Sequence, residues 1–547
     1  MDRSLIFLQN TIDNRKYMQT IGFKNFRRFE ELKPLDLSGV TFFVGGNNAG
    51  KSTVVKAMML MHDNICRSQL YSNDLSPIFR LGTDGGKDVH VGTFGRALHK
   101  PYPEVREIEL QTQIGIFIFR YVIGGDVESQ RLNADIHILE IQNQERTWSI
   151  LVDYNKGIIS FKCPEYEIKN VLKQRNRFAH GIANVDSETD KLQEMLAHID
   201  GEIAALRNDL MSADEIKKVL IEREIKNKEA QKTALQSQSK SKKSDMIIEE
   251  ELQFTSEDAQ RESHILSMMT KLFEQKIEEV SNVRSDSLDA RAKNEALIKK
   301  YTTLQEWLKH MRMMLRAVLN KSGMVYIPSH AVAQKVFFSR EDRNDYMSDV
   351  IGRYQSMNFK DGSSQRKFIQ DWMKNFGIGL DFKIESIQGE AFTVSITNMN
   401  GEEVPLADLG MGSIQIILLL LKLATLIEDG GLYPGLVIIE EPEQNIHPKL
   451  QSKLAELFEY VHREFKLRFL IETHSEYMIR KTQAMIATEK VSFDNNPFKV
   501  YYFPEDGEPY DMVYQPSGLF ENKFDEGFFD EASRQHVVVI KKARELQ

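Results

Sequence analysis

The chain has 547 residues, too many for one compact core, and at roughly 150 residues per domain about three are expected. Its 41% hydrophobic and 28% charged composition is that of a soluble globular chain, and a net charge of −9 leaves nucleic-acid binding only to a local basic patch. Two cysteines, Cys66 and Cys163, exclude a disulfide framework and a cysteine-based zinc site, and they suit a reducing cytoplasm. The first residues, MDRSLIFLQNTIDNRK, lack the long apolar core and cleavage site of a signal peptide.

In chain order, TIGFKNFRRFEEL and VTFFV read as the first strands. The second runs into Gly45-Gly46-Asn47-Asn48-Ala49-Gly50-Lys51-Ser52-Thr53, which fits G-x-x-x-x-G-K-[ST]. Glycines let such a loop turn tightly, so that backbone N–H groups face phosphate oxygens. Lys51 is then expected to reach the β- and γ-phosphates of ATP, and the Ser52 hydroxyl to coordinate Mg²⁺. STVVKAMMLMHDNI follows as a helix whose N-terminus adds positive dipole at the same place. Phe26 and Phe29 read as core, with stacking on adenine as the alternative. Strands continue through EIELQTQIGIFIFRYVI, RLNADIHILEIQ and TWSILVDYNKGIISF, and Gln111 and Gln113 within the first read as surface residues.

From about 186 to 320 proline is absent and Lys, Glu, Gln and Asp dominate. Leu192, Leu196, Ile199, Ile203, Leu206 and Leu210 step by four and three, and so do Leu297, Tyr301, Leu304, Leu308, Met311 and Leu315. That is a heptad seam on each side of a polar middle, with LQSQSKSKKSD (235–245) as the hairpin tip. An antiparallel coiled-coil arm of about 45 residues would reach roughly 65 Å; ordinary amphipathic helices, or a small helical bundle around 254–287, are the alternative. Between 217 and 244 nine Lys/Arg face three acids, a stretch that offers either a phosphate-backbone contact or a solvated helix face.

Beyond the insertion α/β character returns. GMVYIPS, FKIESIQGEAFTVSITN, GLVIIEEPEQN and LRFLIETHS read as strands, and SIQIILLLLKLATLIED and PKLQSKLAELFEYVHREF as helices. The apolar run at 414–427 is too short to span a bilayer and contains Lys422. Glu440, at the end of LVIIE, stands where a Mg²⁺ ligand belongs, and Glu441 where a carboxylate orients the attacking water. His474, after FLIET, is placed to donate to the γ-phosphate. Gly410, Gly412 and Ser413 lie in a turn at a helix start, a geometry that binds anions. His447 and Pro448 shape the loop after the carboxylates.

The order GGNNAGKS, coiled-coil insertion, DLGMGSIQ, VIIEEPEQNIHP, ETHSE resembles the ATP-binding-cassette head of SMC-like ATPases, in the AAA-type group that includes the OLD family. The tail SGLFENKFDEGFFDEA is similar to the C-terminal motif of one subgroup. The likeness spans about 350 residues in two parts. It implies an ABC-type head of mixed sheet, helices and an antiparallel β subdomain, interrupted by the arm: N-terminal lobe 17–175, insertion 186–318, C-terminal lobe 320–547.

Within that group the chain resembles the PtuA-type ATPases of Septu and retron-linked antiphage systems. Only about 70 residues follow Glu476, without the D-x-D pair of a Toprim nuclease. This resemblance implies heads that pair across ATP, with Gly410–Ser413 of one chain completing the site of another. It also implies a separate HNH nuclease of the PtuB type, with a reverse transcriptase and its nucleic acid as a further partner, and no nuclease activity in the chain itself. The pattern departs in three places. Glu440 replaces the usual Asp, IPSHAVAQK carries no transferable Arg, and no Q-loop glutamine is placed. A DNA-repair or chromosome-handling ATPase shares every one of these residues and is the alternative; a self-sufficient nuclease ranks last.

Overall fold

The computed structural model describes residues 20–67, 77–83, 89–169, 202, 206, 221, 224–229, 247–255, 258, 265–283, 287–321, 323–329, 333–342, 345–427 and 435–545. They fall into two compact units, one of the described residues within 140–314 and one of those within 20–139 and 315–545.

The second unit holds the nucleotide motifs. Its central sheet has the order Met324–Ile327, Leu436–Glu440, Phe469–Thr473, Val40–Gly45, Phe498–Phe503, Tyr510–Asp511, with all neighbours parallel except the last pair. Strands buried on both faces need continuous apolar runs, and VTFFV, LVII and FLI are such runs. The register aligns Glu440 with Glu472 and Glu472 with Phe43, so the carboxylate-bearing ends finish level with the phosphate loop. The carboxyl ends of parallel strands are where ligands bind in such sheets. The helix Met411–Leu426 is buried nearly all round, as its unbroken apolar run requires, and it shares one core with the helices Tyr346–Met357, Ser364–Phe376 and Pro448–Phe465.

An antiparallel sheet in the same unit joins Phe29–Asp36, Thr20–Phe26, Glu107–Ile114 and Phe117–Gly124. Phe26 and Phe29 are core residues packed edge-on to Phe23. Gln113 differs from the sequence reading: it is buried, and its Nε2 donates to Gly115 O at 2.9 Å. A third small sheet pairs Phe338–Ser339, Ala391–Thr397, Asp381–Ile387 and Glu403–Pro405.

In the first unit the strands Ser149–Asp153, Ile158–Pro164 and Ile247–Gln253 form an antiparallel sheet. Residues 247–253, expected inside a helical insertion, are thus a strand; its burial alternates although the residues of IIEEELQ do not. Residues 149–164 lie in the same compact unit as 247–253. The second heptad seam lies on the helix Leu288–Lys321 and is buried at Tyr301, Leu304, Leu308 and Met311. Within this unit Trp307 meets Trp148 at 5.5 Å and Phe161 at 5.3 Å between ring centroids, and Tyr301 stacks on Phe273 of the helix Ile265–Asn282. The described part of the seam packs on a sheet and on that helix. Most of the first seam, the tip 235–245 and most of the basic stretch 217–244 lie outside the described residues. No helix among the described residues is long and apolar enough to cross a membrane.

Candidate nucleotide site

The phosphate loop leaves the central strand at Gly45 and enters the helix Lys51–Cys66 at Gly50. Gly50 has φ +102, and a Cβ there would lie 2.5 Å from the Phe29 ring, so only glycine admits both the backbone turn and the packed aromatic. Arg28 braces the loop from the side, donating to Asn48 O and to Glu505 O. Lys51 is buried, 3% exposed, and its ammonium donates to Gly45 O at 3.0 Å and Gly46 O at 2.9 Å. Burial lowers its pKa, and Glu472, Glu441 and Glu443 pull it back.

Residues from both halves of the sequence meet around Lys51. His474 Nε2 lies 3.3 Å from the Lys51 ammonium and 3.7 Å from Glu441 Oε1. An ammonium has no acceptor, so this His474 nitrogen accepts and the ring proton sits on Nδ1. Burial and then Lys51 lower the His474 pKa, which keeps the ring neutral near pH 7. His474 Nε2 thus receives a hydrogen bond from Lys51, and donation from that nitrogen to a phosphate requires the other tautomer. Glu441 follows the strand Leu436–Glu440 in the left-handed region at φ +44, and its backbone N–H donates to Glu472 O at 2.7 Å. A non-glycine residue held there is strained by roughly 1 kcal/mol, and such strain concentrates at functional sites.

The carboxylate that touches Ser52 is not Glu440. Ser52 Oγ donates to Glu472 Oε1 at 2.8 Å, and Lys51 lies 3.9 Å from the same oxygen. Glu440 lines a small separate cavity with Tyr346, Gln415 and Pro442. The sequence reading passed over Glu472, although a carboxylate inside the buried run FLIET is itself a signal, since an uncompensated charge there is costly. Glu443 was also missed. Its Oε1 accepts from Thr473 Oγ1 at 2.8 Å and from His474 N–H at 2.7 Å, which fixes the turn that presents His474.

Asn47–Thr53, Lys56, Arg27, Arg28, Arg96, Lys100, Glu441, Glu472 and His474 line one cavity of about 900 Å³. Gly410, Gly412 and Ser413 do not line it. They start the helix Met411–Leu426, where a Cβ on Gly412 would meet Asn445 O at 2.5 Å while Gly410 faces open space. His447 caps the helix Pro448–Phe465, its Nδ1 accepting from Lys449 N–H. The groups present fit a magnesium–nucleotide. The buried Glu472 keeps Oε2 without a hydrogen-bond partner, Ser52 supplies a hydroxyl, and the loop offers N–H groups at a helix start.

Burial pushes the Glu472 carboxyl up to about 7, against the Ser52 hydrogen bond and the Lys51 charge. Between its ordinary 4.5 and about 7 the folded protein keeps a proton that the unfolded chain has released. This stabilising contribution is complete below the lower value and is lost as the pH rises through the upper one. In nucleotide- and magnesium-free protein, Glu472→Gln should therefore gain about 2–4 kcal/mol over wild type at pH 8, a gap that closes at acid pH. Urea unfolding at pH 5 and pH 8 measures it, and an equal difference at both would contradict this account.

A glycine-rich loop entering a helix, a buried lysine, a serine hydroxyl and acidic strand ends at the carboxyl edge of a parallel sheet define a P-loop nucleotide-binding protein. The chain belongs to the AAA ATPase domain family, whose model matches residues 17–479. It is similar to the Smc head domain of Pyrococcus furiosus solved with an extended coiled coil and bound to the C-terminal domain of ScpA, at 9% identity, TM-score 0.32, covering 96% of this chain and 99% of that one. The Smc head with coiled coil and joint from Pyrococcus yayanosii is 11% identical, TM-score 0.32, over 92% and 98%. The SMC head of Thermotoga maritima is 8% identical, TM-score 0.29, over 92% and 97%. Superpositions this loose set no residue correspondence. No curated protein matches the chain.

Proposed function

We propose that this AAA ATPase is the ATP-binding and hydrolysing regulatory subunit of a cytoplasmic antiphage defence complex, paired through its heads and controlling a separate HNH nuclease. The observation that carries the ATPase part is the meeting of Lys51, Ser52, Glu441, Glu472 and His474 in one cavity. Lys51 holds terminal phosphates, the loop N–H groups orient them, and Glu441 directs and deprotonates the attacking water. Ser52 with Glu440 or Glu472 would hold magnesium, which would supply charge neutralisation at the phosphates. The turn Gly410–Ser413 lies outside its own chain's cavity, which supports a role in completing a second copy's site. The motif order and the tail support the defence assignment.

The test is co-purification of the full chain with the products of its neighbouring genes, with and without ATP, followed by mass measurement. The expected result is a pair of heads with ATP and a stable complex with an HNH protein. An ATP-saturated, fully active monomer would remove the pairing. A chain whose neighbours and partners are repair proteins would replace the defence reading with the chromosome-handling one.

A further inference from the structure

The helix Glu531–Glu545 belongs to the nucleotide-bearing unit, and its start is fixed to the body. Phe528 and Phe529 pack on the core, Asp530 O accepts from Arg534 N–H at 2.9 Å, and the Arg534 guanidinium meets Glu526 at 2.8 Å. From Arg534 to Arg544, however, every residue is exposed. That stretch holds Val537-Val538-Val539-Ile540, with Val538 61%, Val539 63% and Ile540 38% exposed. A helix of about 15 residues alone in water is marginal. β-Branched side chains weaken it further, because they lose rotamers against the preceding turn. Four in a row suit a helix that packs on something, not one that water surrounds.

Spacing selects the face. His536, Val539, Ile540 and Ala543 recur at i, i+3, i+4 and i+7, which is one stripe of a helix. Arg534, Val538, Lys541 and Lys542 fall on the opposite side. Charge selects the occupant. Glu526, Asp530 and Glu531 stand at the start of the helix, and Lys541, Lys542 and Arg544 in its last turns. This order complements the helix dipole. It also makes the helix complementary to an inverted copy of itself, with acidic end against basic end and the dipoles opposed. A parallel copy would set like charges level with each other.

We propose that the helix Glu531–Glu545 is a pairing surface on which the same helix of a second copy lies antiparallel about a two-fold axis, with no nucleotide required. A two-fold contact uses the same patch on both copies, which a self-complementary helix supplies. With Val539 of each helix level with His536 of the other, Glu531 of one comes within a turn of Lys542 and Arg544 of the other along the axis. The 15 residues span roughly 22 Å at 1.5 Å rise, so the buried area is at the low end of specific interfaces and the pair should be micromolar and reversible. This contact is separate from pairing across ATP and does not rest on the ATP reading.

The experiment is sedimentation velocity of the full chain without nucleotide, over a concentration series, on wild type and three variants. Wild type should pass from monomer to dimer. Val539→Glu/Ile540→Glu should lose roughly tenfold or more in association, because it sets charges in the buried stripe. Lys541→Glu/Lys542→Glu/Arg544→Glu should also weaken the pair, as should raised salt on wild type. Val538→Glu changes a side chain as exposed as Val539 but on the other side of the helix, and it should pair like wild type. All variants should keep the wild-type thermal midpoint and affinity for a fluorescent ATP analogue, since none touches the core or the nucleotide cavity. A wild type that stays monomeric throughout overturns the pairing, as does a dimer that either of the first two variants leaves intact. Equal losses in Val538→Glu and Val539→Glu/Ile540→Glu overturn it too, because a general loss of helix would act on both alike. Hydrogen exchange over 531–545 that slows only when an HNH protein is added, and not with rising chain concentration, gives the face to that partner and overturns the self-pairing.

Discussion

Replacing Lys51 with alanine is expected to weaken MgATP binding on the order of 10²–10³-fold, from the loss of charge-assisted hydrogen bonds worth about 1.5–3 kcal/mol each. Lys51 is the one cation among the described residues that faces both loop carbonyls and the carboxylates, and the site is closed enough to bury it. Stability without nucleotide should change far less. Burial already disfavours the charged ammonium, so removing it relieves a cost even as the contact with Glu472 disappears. The consequence is a clean separation. Wild type should show a MgATP-dependent rise in thermal midpoint, as any ligand binding only the folded state must produce. Lys51→Ala should keep its ligand-free midpoint and lose the rise. Calorimetric titration gives the affinity, and a variant that kept the ATP-induced rise would show that the cavity is not held together by this lysine.

Much of this site was legible because its parts obey strong local rules. A phosphate loop needs glycine and lysine at fixed spacing, and apolar runs of five residues ending in acids or histidine read as buried parallel strands. The level ends of Leu436–Glu440, Phe469–Thr473 and Val40–Gly45 follow from that pattern once the strands are neighbours. The neighbour order itself is not in the pattern. It puts Phe469–Thr473 next to the loop strand, so Glu472 and not Glu440 receives the Ser52 hydroxyl. The strand Ile247–Gln253 was hidden by its composition, because three consecutive glutamates interrupt the period-two pattern a strand would show and fit a polar helix as readily. The heptad period correctly marked a buried stripe on Leu288–Lys321, but period alone does not say whether a helix or a sheet covers it.

Glu441→Gln is expected to leave MgATP binding intact or tighter while hydrolysis falls about 10²–10³-fold, the contribution typical of a positioned general base. Glutamine keeps the length and branching of glutamate, so the left-handed backbone at φ +44 bears the same strain and the turn should hold. It also keeps an oxygen for the contact from Gln444 Nε2. What it loses is one negative charge beside the terminal phosphate and the ability to take a proton from water. The first loss favours binding and the second stops the reaction, so the variant should accumulate as an ATP-bound pair in solution mass measurements. Glu441→Gly provides the complementary reading. It should be equally inactive, yet gain roughly 1 kcal/mol of ligand-free stability because the strained φ no longer costs anything. Inactivity with added stability is the signature of a residue kept in an unfavourable conformation for its chemistry. If Glu441→Gln instead hydrolysed ATP at the wild-type rate while Glu472→Gln did not, the base would move one strand over. The Ser52–Glu472 contact would then have to be broken before each turnover, and hydrolysis would rise as Glu472 loses its proton around pH 7, where its folded carboxyl titrates.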